Sequence, residues 1–164
     1  MNLDISIEDA RWQMLEALAR PAILAVLDHC GVEHGICEIS ILGCDDSRIA
    51  KLNAEFREKP VPTNVLSWPS AELSAEEPGH EPYPPEADFS GEIALGDIAI
   101  SFDTCAREAS EAGKVMDDHV THLIVHGVLH LLGYDHIRDP DATLMEGVEV
   151  EILGKMGIDN PYNT

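Results

Sequence analysis

The segment that decides how this chain is organised is His126–His136, which reads HGVLHLLGYDH. Residues four apart on a helix lie about 40° apart around the axis and roughly 6 Å apart along it. His126 and His130 can therefore both bind one ion at zinc–nitrogen distances of about 2.0–2.1 Å. Gly133 is suited to end that helix, because a left-handed residue costs glycine least, and the chain then turns back with His136 as a third ligand. Three protein ligands leave a fourth position open, which is typical of a catalytic zinc site.

The residues around this segment predict a buried helix over 117–132, with two aspartates at its positive end. The helix is apolar nearly all round: Val120, Leu123, Ile124, Val125, Val128, Leu129, Leu131 and Leu132. The alternative to a metal site is that the histidines are packed core residues, but three converging buried imidazoles without a metal would be hard to satisfy. His122 lies near the same face, about 12 Å along the axis from His130, so we interpret it as a supporting or core residue.

The identity of residue 127 narrows the possible chemistry. In zinc peptidases the pattern is His-Glu-x-x-His, and the glutamate after the first histidine is the general base. Gly127 occupies that position here, which argues against peptide hydrolysis. What remains is a metal that lowers the pKa of a bound water and polarises a bound oxygen.

The eleven residues from His126 to His136 resemble the signature of the bacterial YbeY endoribonucleases, also called rRNA maturation factors. Two further stretches agree with that family: Phe56-Arg57 followed by PTNVLSWP at 62–69, and LGDIAI at 95–100. Residues 145, 149 and 153 fit it less specifically, and the resemblance covers about residues 37–156. The sequence departs from the family at 58–61, where EKPV replaces a stretch that often contains a glycine and a basic residue, and at Trp68, where phenylalanine is commoner.

The resemblance implies one Zn²⁺ held by His126, His130 and His136, with Arg57 contacting a phosphate. A guanidinium suits that role because it stays charged and offers two parallel donors; without the resemblance, a surface arginine in a loop would be the preferred interpretation. Asn64 and Ser67 either orient substrate or close the turn before Pro69. Tyr134 and Asp135 could orient His136.

The function that the resemblance implies is a zinc-dependent, single-strand-specific endoribonuclease. It would act in rRNA processing, at the 3′ end of 16S rRNA, and in ribosome quality control, with ribosomal RNA and the small ribosomal subunit as partners. Two other functions stay open. One is a non-enzymatic ribosome assembly factor with a structural metal, which a chelator would unfold. The other is a zinc hydrolase of small substrates, which a broad substrate screen would reveal.

Length and charge set further limits. A chain of 164 residues suits one domain over 1–164 with room for a core. Ten basic residues against 31 acidic ones give a formal net charge of −21, which taken alone argues against nucleic acid. A bound zinc ion and Arg57 would reverse the local field in a cleft. We therefore expect weak affinity for free RNA and docking through basic ribosomal proteins.

The spacing of the cysteines and the hydropathy of the chain predict the cellular compartment. The four cysteines are scattered, with no Cys-x-x-Cys pair, which indicates reduced core residues. The amino terminus has no cationic region before an apolar one, and no apolar run reaches about 18 residues. We expect a cytoplasmic protein with no membrane partner.

The order of the elements predicts an α+β fold, in which helices pack on a small mixed sheet and the metal-binding helix lies near the C-terminal third. Strands are predicted at 2–7, 37–42, 64–68 and 93–101, and helices at 8–29, 47–56, 103–111, 117–132 and 141–156. Pro21 is a potential break in the first helix. Asp97 follows Gly96, and we expect it either at a bulge or hydrogen-bonded to a ligand histidine.

Residues 71–90 form an insert rich in proline and acidic residues, with no lysine or arginine. Such a composition cannot bury a core, so we expect a flexible loop. A flap that contacts substrate is the alternative.

Overall fold

The computed structural model describes residues 1–163 and has the α+β architecture that the sequence predicts. Its strands and helices, in chain order, are β1 (Asn2–Ile7), α1 (Leu15–His29), β2 (Cys37–Cys44), α2 (Asp46–Arg57), β3 (Val65–Pro69), β4 (Ile93–Ser101), α3 (Phe102–Ala112), α4 (Met116–Leu131) and α5 (Asp139–Lys155). Over these described residues, we find no helix whose length and apolar character would let it cross a membrane.

The sheet is mixed, with strand order β1-β2-β4-β3. β1, β2 and β4 are parallel, and β3 is antiparallel to β4. The register between β2 and β4 shifts at Glu38 and Ile39, which pair with Ala94 and Gly96. Gly96 has a φ of +137°, and a Cβ there would lie 2.2 Å from the Trp68 carbonyl oxygen. This irregularity is the bulge that was one of the two expectations for the Gly96-Asp97 pair.

The helix α4 lies at the centre of the molecule and packs on α1, α3, α5 and the sheet. Its apolar residues join the main hydrophobic core, as the all-round apolar pattern predicted. The largest fully buried side chains of the chain include Trp12, Leu15, Ile23, Leu27, Ile39, Ile41, Ile98, Ile100, Ile124, Leu129 and Leu131. A smaller core on the other side of the sheet joins α2 to β4 through Ile49, Leu52, Leu66 and Ala99. The histidine segment 126–136 therefore begins on the helix that lies at the centre of the core.

The start of the first helix was predicted wrongly. Residues 8–12 are not part of α1: the Glu8 N–H donates to the Gly43 carbonyl at 2.9 Å, and Asp9 caps a short 3₁₀ turn. The Trp12 indole N–H then donates to the Cys44 carbonyl at 2.9 Å, so this turn belongs to the end of β2. Pro21 lies inside α1 and does not end it. The remaining predicted boundaries agree with the structure within about two residues.

Residues 71–90, all within the described part of the chain, form neither helix nor strand. Contacts nevertheless attach the first half of the insert to the start of α5. The Gly79 N–H donates to Asp141 Oδ1 at 2.8 Å, and the Arg138 guanidinium donates to the carbonyls of Ala75 and Glu76 at 2.9 Å each. Flexibility of this insert stays a prediction.

The four cysteines are all free in the described residues. Burial raises the pKa of the Cys30 thiol to about 11 and that of Cys44 to about 12, and it raises the pKa values of Cys37 and Cys105 as well. These thiols are protonated at neutral pH, as expected for core residues.

Candidate metal centre

Helix α4 and the turn after it bring three histidine rings together. His126 and His130 are one turn apart, with ring centroids separated by 4.6 Å. The chain then turns through Gly133, whose φ is +102°, and places the His136 ring 5.0 Å from His130 and 5.5 Å from His126. One nitrogen from each ring lies within 4.8 Å of the others. This group could hold a metal ion.

The hydrogen bonds of these rings fix where their protons sit. The His126 Nδ1 is 2.5 Å from Glu149 Oε1, and the His130 Nδ1 is 2.9 Å from the Tyr134 carbonyl oxygen. A carboxylate and a carbonyl can only accept, so both Nδ1 atoms carry hydrogen and both Nε2 atoms carry a lone pair. The two Nε2 atoms face each other at 3.1 Å. In neutral rings these are two lone pairs, which a cation placed between them would hold together, and three imidazoles are a donor set that suits zinc.

Glu149 of α5 is the charged partner of this group, and its side chain is fully buried. Burial by itself would raise the pKa of this carboxyl. The imidazoles of His122 and His126 and the hydroxyl of Tyr162 lower it to about 2, so the group is a carboxylate at neutral pH. An ionised acceptor on Nδ1 makes His126 a better ligand, because it increases the basicity of the other ring nitrogen.

His130, like His126, is partly buried, whereas His136 is exposed. Burial lowers the pKa of His130 to about 4, and the neighbouring His126 and His136 act in the same direction. His130 is therefore neutral at physiological pH, which is the state that a metal ligand requires.

The three histidines line a cleft of about 610 Å³ together with Arg57 and Lys59. Arg57 is the last residue of α2, and its guanidinium donates to the Ser67 carbonyl at 3.0 Å. Each of the other five arginines contacts a carboxylate, whereas Arg57 makes no such pair within residues 1–163. Its charge is therefore available to an anionic ligand in the cleft, and it is not a loop arginine.

Asn64 and Ser67 also line the cleft, and both are hydrogen-bonded within the protein. Asn64 donates to Glu108 of α3 at 3.0 Å and accepts from the Val65 N–H, while the Ser67 hydroxyl donates to the Gly127 carbonyl at 3.4 Å. Asp97 is exposed and lines a separate groove with Trp68 and Phe56, so it does not support a ligand histidine.

Two neighbours of His136 also take defined positions. Asp135 accepts the backbone N–H of His136 at 2.7 Å, which holds the turn that carries this histidine. Tyr134 supports His130 through its carbonyl oxygen, and its hydroxyl is directed towards Cys30.

Glu149 and Tyr162 were not predicted from the sequence as neighbours of the cluster. Glu149 has a signal in retrospect: it lies in the buried stripe of α5 among Met145, Ile152 and Leu153, where an unexplained acid is unusual. Tyr162 follows the last helix, and no periodicity or spacing connects it with the histidines. His122, interpreted as a supporting residue, lies 3.8 Å from Glu149.

Comparisons with known proteins agree on one family. The family model described as endoribonuclease YbeY matches residues 3–157. The endoribonuclease YbeY of Ruegeria pomeroyi is 66% identical over 162 residues, covering 99% of this chain and 98% of that protein. The protein of the same name from Bartonella quintana is 41% identical over 165 residues, covering 99% and 97%.

A solved structure has the same fold. The solution structure of TM1509 from Thermotoga maritima superposes with a TM-score of 0.56 and covers 99% of each chain. Its sequence is 20% identical to this one, so the likeness concerns the fold alone.

Proposed function

The chain belongs to the YbeY endoribonuclease family, and from this premise we propose that it hydrolyses RNA phosphodiester bonds at the histidine cluster. The observation that carries the proposal is the pair of Nε2 lone pairs of His126 and His130 facing each other at 3.1 Å. They line the same cleft as Arg57, which pairs with no carboxylate among residues 1–163.

The residues of the cleft would bind the metal ion and the phosphate separately. His126, His130 and His136 would hold one Zn²⁺ through neutral ring nitrogens. Bound zinc lowers the pKa of a water molecule and polarises a phosphate oxygen. Arg57 would bind the phosphate through two parallel N–H donors. Its bond to the Ser67 carbonyl holds the guanidinium in the cleft before substrate arrives, so less side-chain entropy is lost on binding.

The finer parts of the proposal concern substrate and location. We propose a single-strand-specific enzyme of rRNA processing and ribosome quality control, acting in the cytoplasm on the 3′ end of 16S rRNA in the small subunit. The net charge of −21 disfavours free RNA. It favours delivery of the substrate by basic ribosomal proteins, which an acidic surface attracts.

A cleavage assay tests the proposal. Zinc-loaded protein is incubated with an end-labelled precursor 16S 3′ fragment, beside His126→Ala, His130→Ala and the control His34→Ala, in which an exposed histidine far from the cleft is changed. We expect the same discrete cuts from wild type and His34→Ala, and a loss of at least about 100-fold in both cluster variants.

Metal removal provides the second arm of this test. A chelator should abolish cleavage, and added Zn²⁺ should restore it. Equal cuts in every sample would indicate a contaminating nuclease and overturn the proposal. No cuts by zinc-loaded wild type, together with unfolding by the chelator, would indicate an assembly factor with a structural metal instead.

A further inference from the structure

We propose that Glu149 and Tyr162 are positioning residues of the metal centre. The Glu149 carboxylate would fix the tautomer and orientation of His126, and the Tyr162 hydroxyl would hold Glu149 in place. This inference rests on the proposed function only in requiring a metal at the three histidines. It assigns a role to the segment after α5, which lies outside the cleft.

The burial of Glu149 is the first argument. Its side chain is fully buried on α5, and its neighbours on that face, Met145, Ile152 and Leu153, are apolar core residues. A carboxylate in such a place is costly unless it is paired and hydrogen-bonded. Within residues 1–163 it contacts no lysine or arginine, and its partners are the imidazoles of His122 and His126. Packing alone does not explain an acid here.

The contact with His126 is the second argument. The Glu149 Oε1 lies 2.5 Å from His126 Nδ1, on the side of the ring opposite to the nitrogen that faces His130. The carboxylate therefore excludes the tautomer in which Nε2 carries hydrogen and leaves that lone pair directed at the cluster. It also increases the basicity of Nε2, which strengthens a metal–nitrogen bond.

Tyr162 completes the network from the other side. Its hydroxyl donates to Glu149 Oε2 and lies 3.4 Å from His122 Nε2, so it can accept from that ring while it donates to the carboxylate. The Tyr162 ring packs edge-on against His122, with centroids 5.5 Å apart. Its side chain is 42% exposed, so filling the core is not its main role.

The segment that carries Tyr162 is itself held in place. The Ile158 N–H donates to the Leu153 carbonyl at 2.9 Å, and the Lys114 ammonium donates to the Pro161 carbonyl at 3.0 Å. The Tyr162 N–H donates to Asn160 Oδ1 at 2.8 Å. These bonds direct the hydroxyl towards Glu149 without any contribution from the cleft.

The experiment measures zinc affinity by competition with a chromogenic chelator. Glu149→Gln removes the charge and keeps the shape, and Tyr162→Phe removes one hydroxyl. The matched controls are Glu151→Gln, an exposed acid on the same helix, and Tyr83→Phe, a half-exposed tyrosine of the insert. We expect affinity to fall about 10–100-fold in Glu149→Gln, by less than about tenfold in Tyr162→Phe, which loses one hydrogen bond to the carboxylate, and not at all in the controls.

Two further readouts separate positioning from a structural role. Thermal unfolding of the metal-free protein should shift only moderately downward in Glu149→Gln, because the amide keeps the shape of the side chain and loses the charge-assisted hydrogen bonds with His126 and Tyr162. Zinc affinity is then measured on a folded variant. The visible absorption bands of the Co²⁺-loaded protein should shift in Glu149→Gln and stay unchanged in Glu151→Gln, since those bands report the geometry around the ion.

The outcomes are distinguishable. Wild type that binds no zinc would overturn the proposed function. Wild type that binds zinc, with unchanged affinity and Co²⁺ spectrum in both variants, would overturn the positioning role alone. If Glu149→Gln fails to fold without metal, Tyr162→Phe decides: wild-type affinity in that folded variant would overturn the inference, and weakened affinity would support it.

Discussion

Gly127 explains at the scale of one residue why this cluster lacks the glutamate of zinc peptidases. A Cβ at that position would lie 3.1 Å from Ile98 Cδ1 and 3.2 Å from Ser67 Oγ. The helix α4 thus approaches the sheet at the position where a peptidase places its general base. A side chain there would require the Ile98 and Ser67 side chains to shift, so the close approach of α4 to the sheet disfavours a base at residue 127.

This contact predicts the effect of introducing a glutamate at position 127. Gly127→Glu should lower the free energy of unfolding by more than about 3 kcal/mol, because it overpacks the core and buries an unpaired charge. Urea denaturation of the metal-free protein measures the change. The control is Gly154→Glu, at a position where a Cβ meets no described atom within 4 Å. A Gly127→Glu protein as stable as that control would contradict the packing argument.

Helix α5 contains glycines at which the described structure leaves room for a larger side chain. Gly147 lies inside the helix, and a Cβ there meets nothing within 4 Å. Gly147→Ala should therefore raise the free energy of unfolding by about 0.8–1 kcal/mol, because alanine loses less backbone entropy on forming a helix.

The matched substitution for this prediction is Gly127→Ala in α4. Alanine favours the helix there by the same amount, but the new methyl meets Ile98 and Ser67. The free energy of unfolding should therefore rise by less than in Gly147→Ala, or fall. Equilibrium unfolding curves of both variants and wild type give the comparison. A larger gain for Gly127→Ala than for Gly147→Ala would show that the sheet yields at that contact.

The helices and strands could be predicted largely from the sequence, because in most of them the apolar residues recur at a helical or a strand spacing. α4 was placed within one residue by its apolar pattern and by Gly133 at its end. The failure at residues 8–14 has a local cause: Trp12 and Leu15 keep a helical spacing, yet the chain between Asp9 and Met14 first bonds to β2. Long-range bonds of that kind leave no trace in periodicity.

Charge governs the behaviour of the whole molecule towards RNA. The cleft offers two cations, Arg57 and Lys59, to a chain of net charge −21. For single strands the slope of log affinity against log salt is about −0.7 per neutralised phosphate. We expect a slope no steeper than about −1.4 for a short single-stranded RNA, measured by fluorescence anisotropy from low to moderate salt.

Substituting one cation checks this expectation. Lys59→Ala should flatten the slope by about 0.7, while Lys51→Ala, on the exposed side of α2, should leave it unchanged. A wild-type slope of about −4 or steeper would require a basic surface that the cleft does not offer. It would then argue for an RNA path over another part of the molecule.

The candidate site could be predicted only where its residues are close in sequence. The spacing of His126, His130 and His136 indicated their convergence because one helix and one turn connect them. Arg57 came from the resemblance, since it lies on α2, far from the histidines in the sequence. Glu149 and Tyr162 approach the cluster from behind α4, and only tertiary packing brings them there.

The protonated state of the four native thiols has a practical consequence for studying the acidic insert. Thiol-reactive dyes attack the thiolate. Three of the native cysteines are buried and Cys30 is partly buried, with the pKa raised to about 11 for Cys30 and about 12 for Cys44, so they compete poorly for a label at neutral pH. Phe89 is fully exposed near the end of the insert. A Phe89→Cys protein would therefore take up a fluorophore at one site without removal of any native cysteine, and the emission of that fluorophore would report directly how the insert moves when RNA or zinc is added.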